Sequence, residues 1–176
     1  RFSPNFKDIA DGGKMPGIAG DTSIGGQSGG KVNGTNGWSL RGHFMLSHDK
    51  QNPVYPKVLM GTYAYHADMK DFYGDHWGWP SQRGLGLMEL NRWYAVEQCV
   101  KVNTPGLKNG ILRVWIDGRL AFEKTDVNMR TVPGWPIYKA WGTMHFGGVI
   151  PPTHDLVLYV DNFVIAKKYI GPLGGR

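Results

Sequence analysis

Residues 37–46, GWSLRGHFML, alternate with a period of two. Trp38, Leu40, Phe44 and Leu46 fall on one side, with Gly42 as a gap in the row, and Ser39, Arg41 and His43 fall on the other. Strand side chains point to opposite faces in turn, so the first row predicts a core face. Other segments give the same reading. Val58, Met60 and Ala64 oppose Tyr63 and Tyr65, and Tyr94, Val96, Val100 and Val102 oppose Glu97 and Lys101. Leu112, Val114 and Ile116 oppose Arg113, Trp115 and Asp117, while Met144 and Phe146 oppose Trp141, Thr143 and His145. A last apolar run, 155–170, is also expected to be a strand.

Gly, Pro, Asn and Asp punctuate these runs, and Asp117-Gly118 and Pro105-Gly106 mark tight turns. Many short strands with such turns predict an all-β fold, a β-jelly-roll sandwich of antiparallel sheets with a concave groove. Two segments break the rhythm. Residues 11–37 are glycine-rich and poor in strand pattern, although Lys14 is placed as if held rather than loose. Residues 66–91 form a long irregular span with Tyr73, Trp77 and Trp79, of the kind that serves as a binding loop or lid.

Composition narrows the partner. In 176 residues, twenty Lys and Arg against fourteen Asp and Glu give a net charge of +6, which favours a polyanion. No basic run reaches four residues and no RNA-binding aromatic pattern occurs, so no nucleic-acid partner is expected. No stretch approaches the roughly 20 apolar residues that span a bilayer, and no membrane partner is expected. The single cysteine, Cys99, rules out an internal disulfide and is read as packing.

The polar faces are unusually rich in Tyr, Trp, His and Arg for a wet sheet face. Arginine suits carboxylates, and tyrosine and tryptophan suit sugar rings, which together imply an acidic polysaccharide. A glycoside hydrolase wants two carboxylates, and this face offers chiefly Glu97. β-Elimination asks instead for a cation on the uronate carboxylate, a base for the C5 proton and an acid for the leaving O4. Arg41 or Lys14 would stabilise the developing charge, and Tyr63 or Tyr65 would move protons if nearby cations lower the phenol. Ser39, His43, Glu97, Lys101, Arg113, Trp115 and His145 are read as binding substrate. His66 points away from Tyr65 by parity, and His76 and His48 are read as solvated loop residues. No cofactor is required, with structural calcium from Asp68, Asp155 and Asp161 kept open.

The segments GGKMPGI, WSLRGHF, YAYHAD, YGD, VEQCVKVNTPG, NGILRVWIDG and YVDNFVIAKKYIGP, in that order, resemble polysaccharide lyase family 14. The resemblance runs over residues 2–172 and implies a β-jelly roll that cleaves alginate or a related polyuronate. It places Lys14, Ser39, Arg41, Tyr63 and Tyr65 at the family's catalytic and substrate-binding positions. It departs in Met15, where leucine is usual, and in a long spacer, SHDKQNPVYPKV. The start at RFSPNF, inside what resembles an early strand, leads to an expectation of a single domain over 1–176 with N-terminal strands absent or short. A secreted monomer is expected. The competing reading is a carbohydrate-binding module on the same fold, which would not need those five residues as a set.

Overall fold

The computed structural model describes residues 1–7, 11–20, 30–46, 51 and 54–172, without the Leu46 side chain. His48 and residues 21–29 of the glycine-rich segment lie outside the described residues. Among these residues are β1 (Gly13–Ala19), β2 (Ser39–Leu46), β3 (Val58–Tyr65), β4 (Asp75–Gly78), α1 (Pro80–Arg83), β5 (Leu87–Met88) and β6 (Val96–Lys101). They are followed by β7 (Gly110–Ile116), β8 (Arg119–Val127), β9 (Lys139–Trp141) and β10 (His145–Phe146). The larger sheet has the order β10-β1-β2-β3-β4, with β9 also on β1 and β5 on β3, and the smaller is β6-β7-β8. Every strand pair is antiparallel. The arrangement is all-β and consistent with a jelly-roll sandwich.

The apolar rows meet where alternation predicts. Leu40, Phe44, Val58, Met60 and Ala64 of the large sheet share one buried core with Leu112, Val114, Ile116, Ala121 and Phe122 of the small one. Phe2 and Phe6 close one end against Phe44, with ring centroids 5.8 and 5.3 Å away. The Asp117-Gly118 turn has φ of 50° and 76°, the left-handed pair that a two-residue hairpin between β7 and β8 requires. Trp79 is 2% exposed and donates its indole N–H to Thr62 Oγ1 at 3.0 Å. It therefore packs beneath the 66–91 span and forms no lid platform.

Three expectations change. The glycine-rich segment contains β1, whose glycines permit close strand approach. A Cβ on Gly17 would lie 2.3 Å from the Leu40 carbonyl oxygen. The 140–148 strand is split into β9 and β10, opposite a register shift in β1 between Lys14 and Gly17. Pro16 lies in that interval and has no N–H to offer a ladder. Among the described residues, 155–170 form no strand: their one β-bridge joins Leu158 to Phe2, and Val160, Phe163, Val164 and Ile165 are exposed. An apolar run becomes a strand only against a partner edge, and among the described residues this one has a single bridge.

Asn103, fully buried, joins the end of β6 to the segment after β8. Its Nδ2 donates to the carbonyls of Leu107 and Arg130 at 3.0 and 2.8 Å, and its Oδ1 accepts from Met129 and Arg130 N–H at 3.0 Å. Asn103→Ala removes all of these bonds, leaves the buried Met129 N–H without its acceptor, and is expected to cost about 3 kcal/mol, read as a lower urea midpoint at unchanged slope.

Candidate active site

The polar face of the large sheet is assembled by register. Lys14 of β1 lies opposite both His43 of β2 and His145 of β10. One row on, Gly17 is paired with Arg41 and Trp141, Arg41 with Tyr63, and Tyr63 with His76 of β4. Next, Ser39 lies opposite Tyr65. Six strands thus bring Lys14, Arg41, His43, Tyr63, Tyr65, His76, Trp141 and His145 onto one face, with Ser39 at its edge.

The side chains interlock. Lys14 Nζ sits 3.8 Å from the Tyr63 ring centroid, and the Arg41 guanidinium sits 4.4 Å from that of Trp141. His76 lies 4.6 Å from His43 and 4.7 Å from Tyr63, ring to ring. The Tyr63 hydroxyl is 3.3 Å from that of Tyr65 and accepts the Gly74 N–H at 3.2 Å. Val32 and Met69 bury both tyrosines from the other side, leaving Tyr63 6% and Tyr65 0% exposed.

This packing sets the protonation states. Burial, then the nearby Arg41, lowers the Lys14 pKa to about 8, with Asp11 pulling weakly the other way. Burial, then Lys14, His76 and Arg41, lowers His43 to about 3, so its imidazole stays neutral. His76 and His145 are lowered as well, by burial first and then by the site's cations. Tyr63 moves upward: burial and its contact with Tyr65 outweigh the Gly74 N–H and Arg41. The expectation that cations would lower this phenol is therefore corrected, because a buried hydroxyl beside a second phenol pays more to ionise than the cations return. The face combines a readily deprotonated amine, a fixed guanidinium, neutral imidazoles and a protonated phenol.

Four residues read as groove residues lie elsewhere. Glu97, Lys101, Arg113 and Trp115 belong to β6 and β7 of the small sheet. Glu97 accepts the N–H groups of Ile170 and Gly171 at 3.0 and 2.9 Å, and Arg113 Nε donates to Glu123 at 2.5 Å. Trp115 stacks near Tyr169, 4.9 Å between centroids, and Lys101 is exposed at the end of β6. Alternation places them correctly on a polar face. In a sandwich the polar faces of the two sheets point in opposite directions, so this one is not the face that holds Lys14. The converse omission is His76, whose four-residue strand is too short to show a period. Trp141 has the parity of this face, and its pairing through β9 with Gly17 brings it against Arg41.

Asp75 binds His66 at 2.7 Å beneath the site, and Asp68 is held by Lys108 and Asn128 at 2.8 and 2.9 Å. Among the described residues, no three His, Cys, Asp or Glu side chains are grouped so as to hold a metal.

Known proteins share this framework. The alginate lyase Aly36B, solved with an alginate trisaccharide, superposes with a TM-score of 0.65 at 22% identity, covering 86% of this chain and 58% of that one. The marine PL-14 alginate lyase from Aplysia kurodai gives 0.60 at 22% identity, over 85% and 58% of the two chains. Alginate lyase vAL-1 from Chlorella virus gives 0.58 at 22% identity, over 85% and 61%. These likenesses establish the shared fold, and the chain spans about 58% of the length of the first of these structures. No curated protein sequence matches it. The family profile described as Polysaccharide lyase 14 matches residues 1–152, and the chain belongs to that family.

Proposed function

We propose that the chain cleaves a 1,4-linked polyuronate of the alginate or glucuronan type by β-elimination on the face that holds Lys14 and Arg41. The observation that carries this reading is Lys14. Its amine is partly buried beside a guanidinium, and its pKa of about 8 provides a base near working pH. Family membership and the alginate lyases of the same fold support the reaction class. So does the position of Glu97, which is tied to the C-terminal backbone and is remote from any role as a hydrolase acid.

In this mechanism the planar fork of Arg41 takes the uronate carboxylate, the neutral imidazole of His43 helps to seat the sugar, and the buried Ser39 backs the face beside Tyr65. Neutralising the carboxylate makes the C5 proton removable. The uncharged Lys14 amine takes that proton. The C4–O4 bond breaks as the C4=C5 double bond forms. The Tyr63–Tyr65 pair, kept protonated by burial, supplies the proton to the departing O4. One product carries an unsaturated uronate at its new non-reducing end, and the other a new reducing end. No water is consumed and no cofactor is needed, which suits a secreted monomer acting on extracellular polymer.

The decisive assay follows ultraviolet absorbance of the unsaturated product on polymannuronate, polyguluronate and glucuronan. Wild type is expected to give a rising signal on at least one of them. Lys14→Ala and Tyr63→Phe are expected to lower it by about 100-fold or more. A flat wild-type trace on all three, with binding intact, would identify a carbohydrate-binding module instead.

The pH dependence has a definite sign. The base works unprotonated, so kcat/KM should fall as pH drops below about 8 and level off above it. Lys14→Arg, which cannot deprotonate, should be inactive across the range. A profile that rises toward acid would contradict Lys14 as base.

Glu97→Gln should retain the lyase rate and loosen the backbone at Ile170 and Gly171, seen as faster amide exchange there. Loss of activity in that variant would reopen the hydrolase reading.

A further inference from the structure

The wall beside the two tyrosines has a feature that packing does not account for. Segment 66–74 is firmly held: Met69 is buried against Tyr63 and Tyr65, and the Ala67 N–H donates to Asn128 at 2.7 Å. The Phe72 carbonyl accepts from Gly30 at 3.3 Å, and Lys31 Nζ donates to the Lys70 carbonyl at 2.8 Å. Yet this anchored segment presents two large rings to solvent. Phe72 and Tyr73 are 58% and 63% exposed and meet edge to face at 5.3 Å. Trp79 from the same span is fully packed, so exposure is no general property of its aromatics. Adjacent exposed rings on a fixed backbone are a surface made for contact.

Their position gives the contact a meaning. Tyr73 immediately precedes Gly74, whose N–H bonds the Tyr63 hydroxyl and whose Cβ, if present, would lie 3.0 Å from the Tyr65 ring. Consecutive Cα atoms are ~3.8 Å apart, so the Tyr73 backbone stands one residue from the tyrosine pair. The wall also carries the exposed cations Lys31 and Lys70, with the exposed Asp71 between Lys70 and Phe72. Lys31 spends one of its three donors on the Lys70 carbonyl. An apolar ring face beside ammonium groups complements a pyranose ring that bears a carboxylate.

Resting on the polyuronate reading above, we propose that Phe72 and Tyr73 form an outer subsite for a uronate residue away from the cleaved bond. The sugar face lies on the Tyr73 ring and its carboxylate is turned toward Lys31. Asp71 offers an acceptor to the sugar hydroxyls. The subsite lengthens the bound stretch of polymer and leaves proton transfer to Lys14 and the tyrosine pair.

The test is calorimetric binding of a length series of oligouronates in the Lys14→Ala background, paired with kinetics in the active protein. Tyr73→Ala and Phe72→Ala should weaken binding of the longer oligomers roughly three- to tenfold, the worth of an aromatic contact. The loss should grow with chain length, appear in KM, and be restored by Tyr73→Phe. Equal loss at every length, or none, overturns the subsite. The two readings fail separately. Length-dependent loss of binding in a protein that cleaves no polyuronate sinks the lyase assignment alone. Cleavage that ignores Tyr73 sinks the subsite alone, and absence of all uronate binding sinks both.

Discussion

The face proposed as active depends on holding two cations close together, Arg41 buried and Lys14 half-buried. Lys14 and Arg41 are brought together by ladder register, and each depresses the basicity of its neighbours. A carboxylate between them would relieve the repulsion, but it would restore the lysine's proton affinity and occupy the place of an acidic ligand. The structure uses ring faces instead: Tyr63 under Lys14 and Trp141 under Arg41. A ring quadrupole attracts a cation without neutralising it. The positive charge therefore remains available, and the amine remains easy to deprotonate.

That arrangement needs a rigid base, and the opposite face of the same strands provides it. Leu40, Phe44, Met60 and Ala64 are locked into the core against the small sheet, which fixes the spacing of Ser39, Arg41, His43, Tyr63 and Tyr65 between them. A smaller apolar cluster, Val32 and Met69 around the two tyrosines, braces the polar face from above. The tyrosines are thus packed on both sides, and for that reason Tyr63 resists ionisation despite two cations nearby.

Much of this was legible in the chain, because a period of two states which residues share a face. Ser39, Arg41, His43, Tyr63 and Tyr65 could be grouped from β2 and β3 alone. Alternation does not state which sheet a strand joins, and Arg113 and Trp115 were misplaced for that reason. Nor does it register strands that are short or rich in glycine: β1 and β4 escaped it, and with β4 went His76. The 155–170 run shows the reverse failure, since its pattern is that of a strand but pairing is a relation between segments.

The two proton transfers proposed for the site are also physically linked. While Lys14 is neutral, the tyrosine pair lies in a buried setting with Arg41 as the chief cation acting on it, and its proton is held tightly. On taking the C5 proton in the proposed reaction, Lys14 would become a full charge 3.8 Å from the Tyr63 ring centroid, in half-buried surroundings that screen it less than water does. A new cation at that range favours the phenolate and lowers the cost of releasing the phenol proton. In the proposed reaction, taking a proton at one end would thus make it easier to give one at the other. The same closeness that fits the lysine to act as base would make the tyrosine a better acid at the moment when O4 departs.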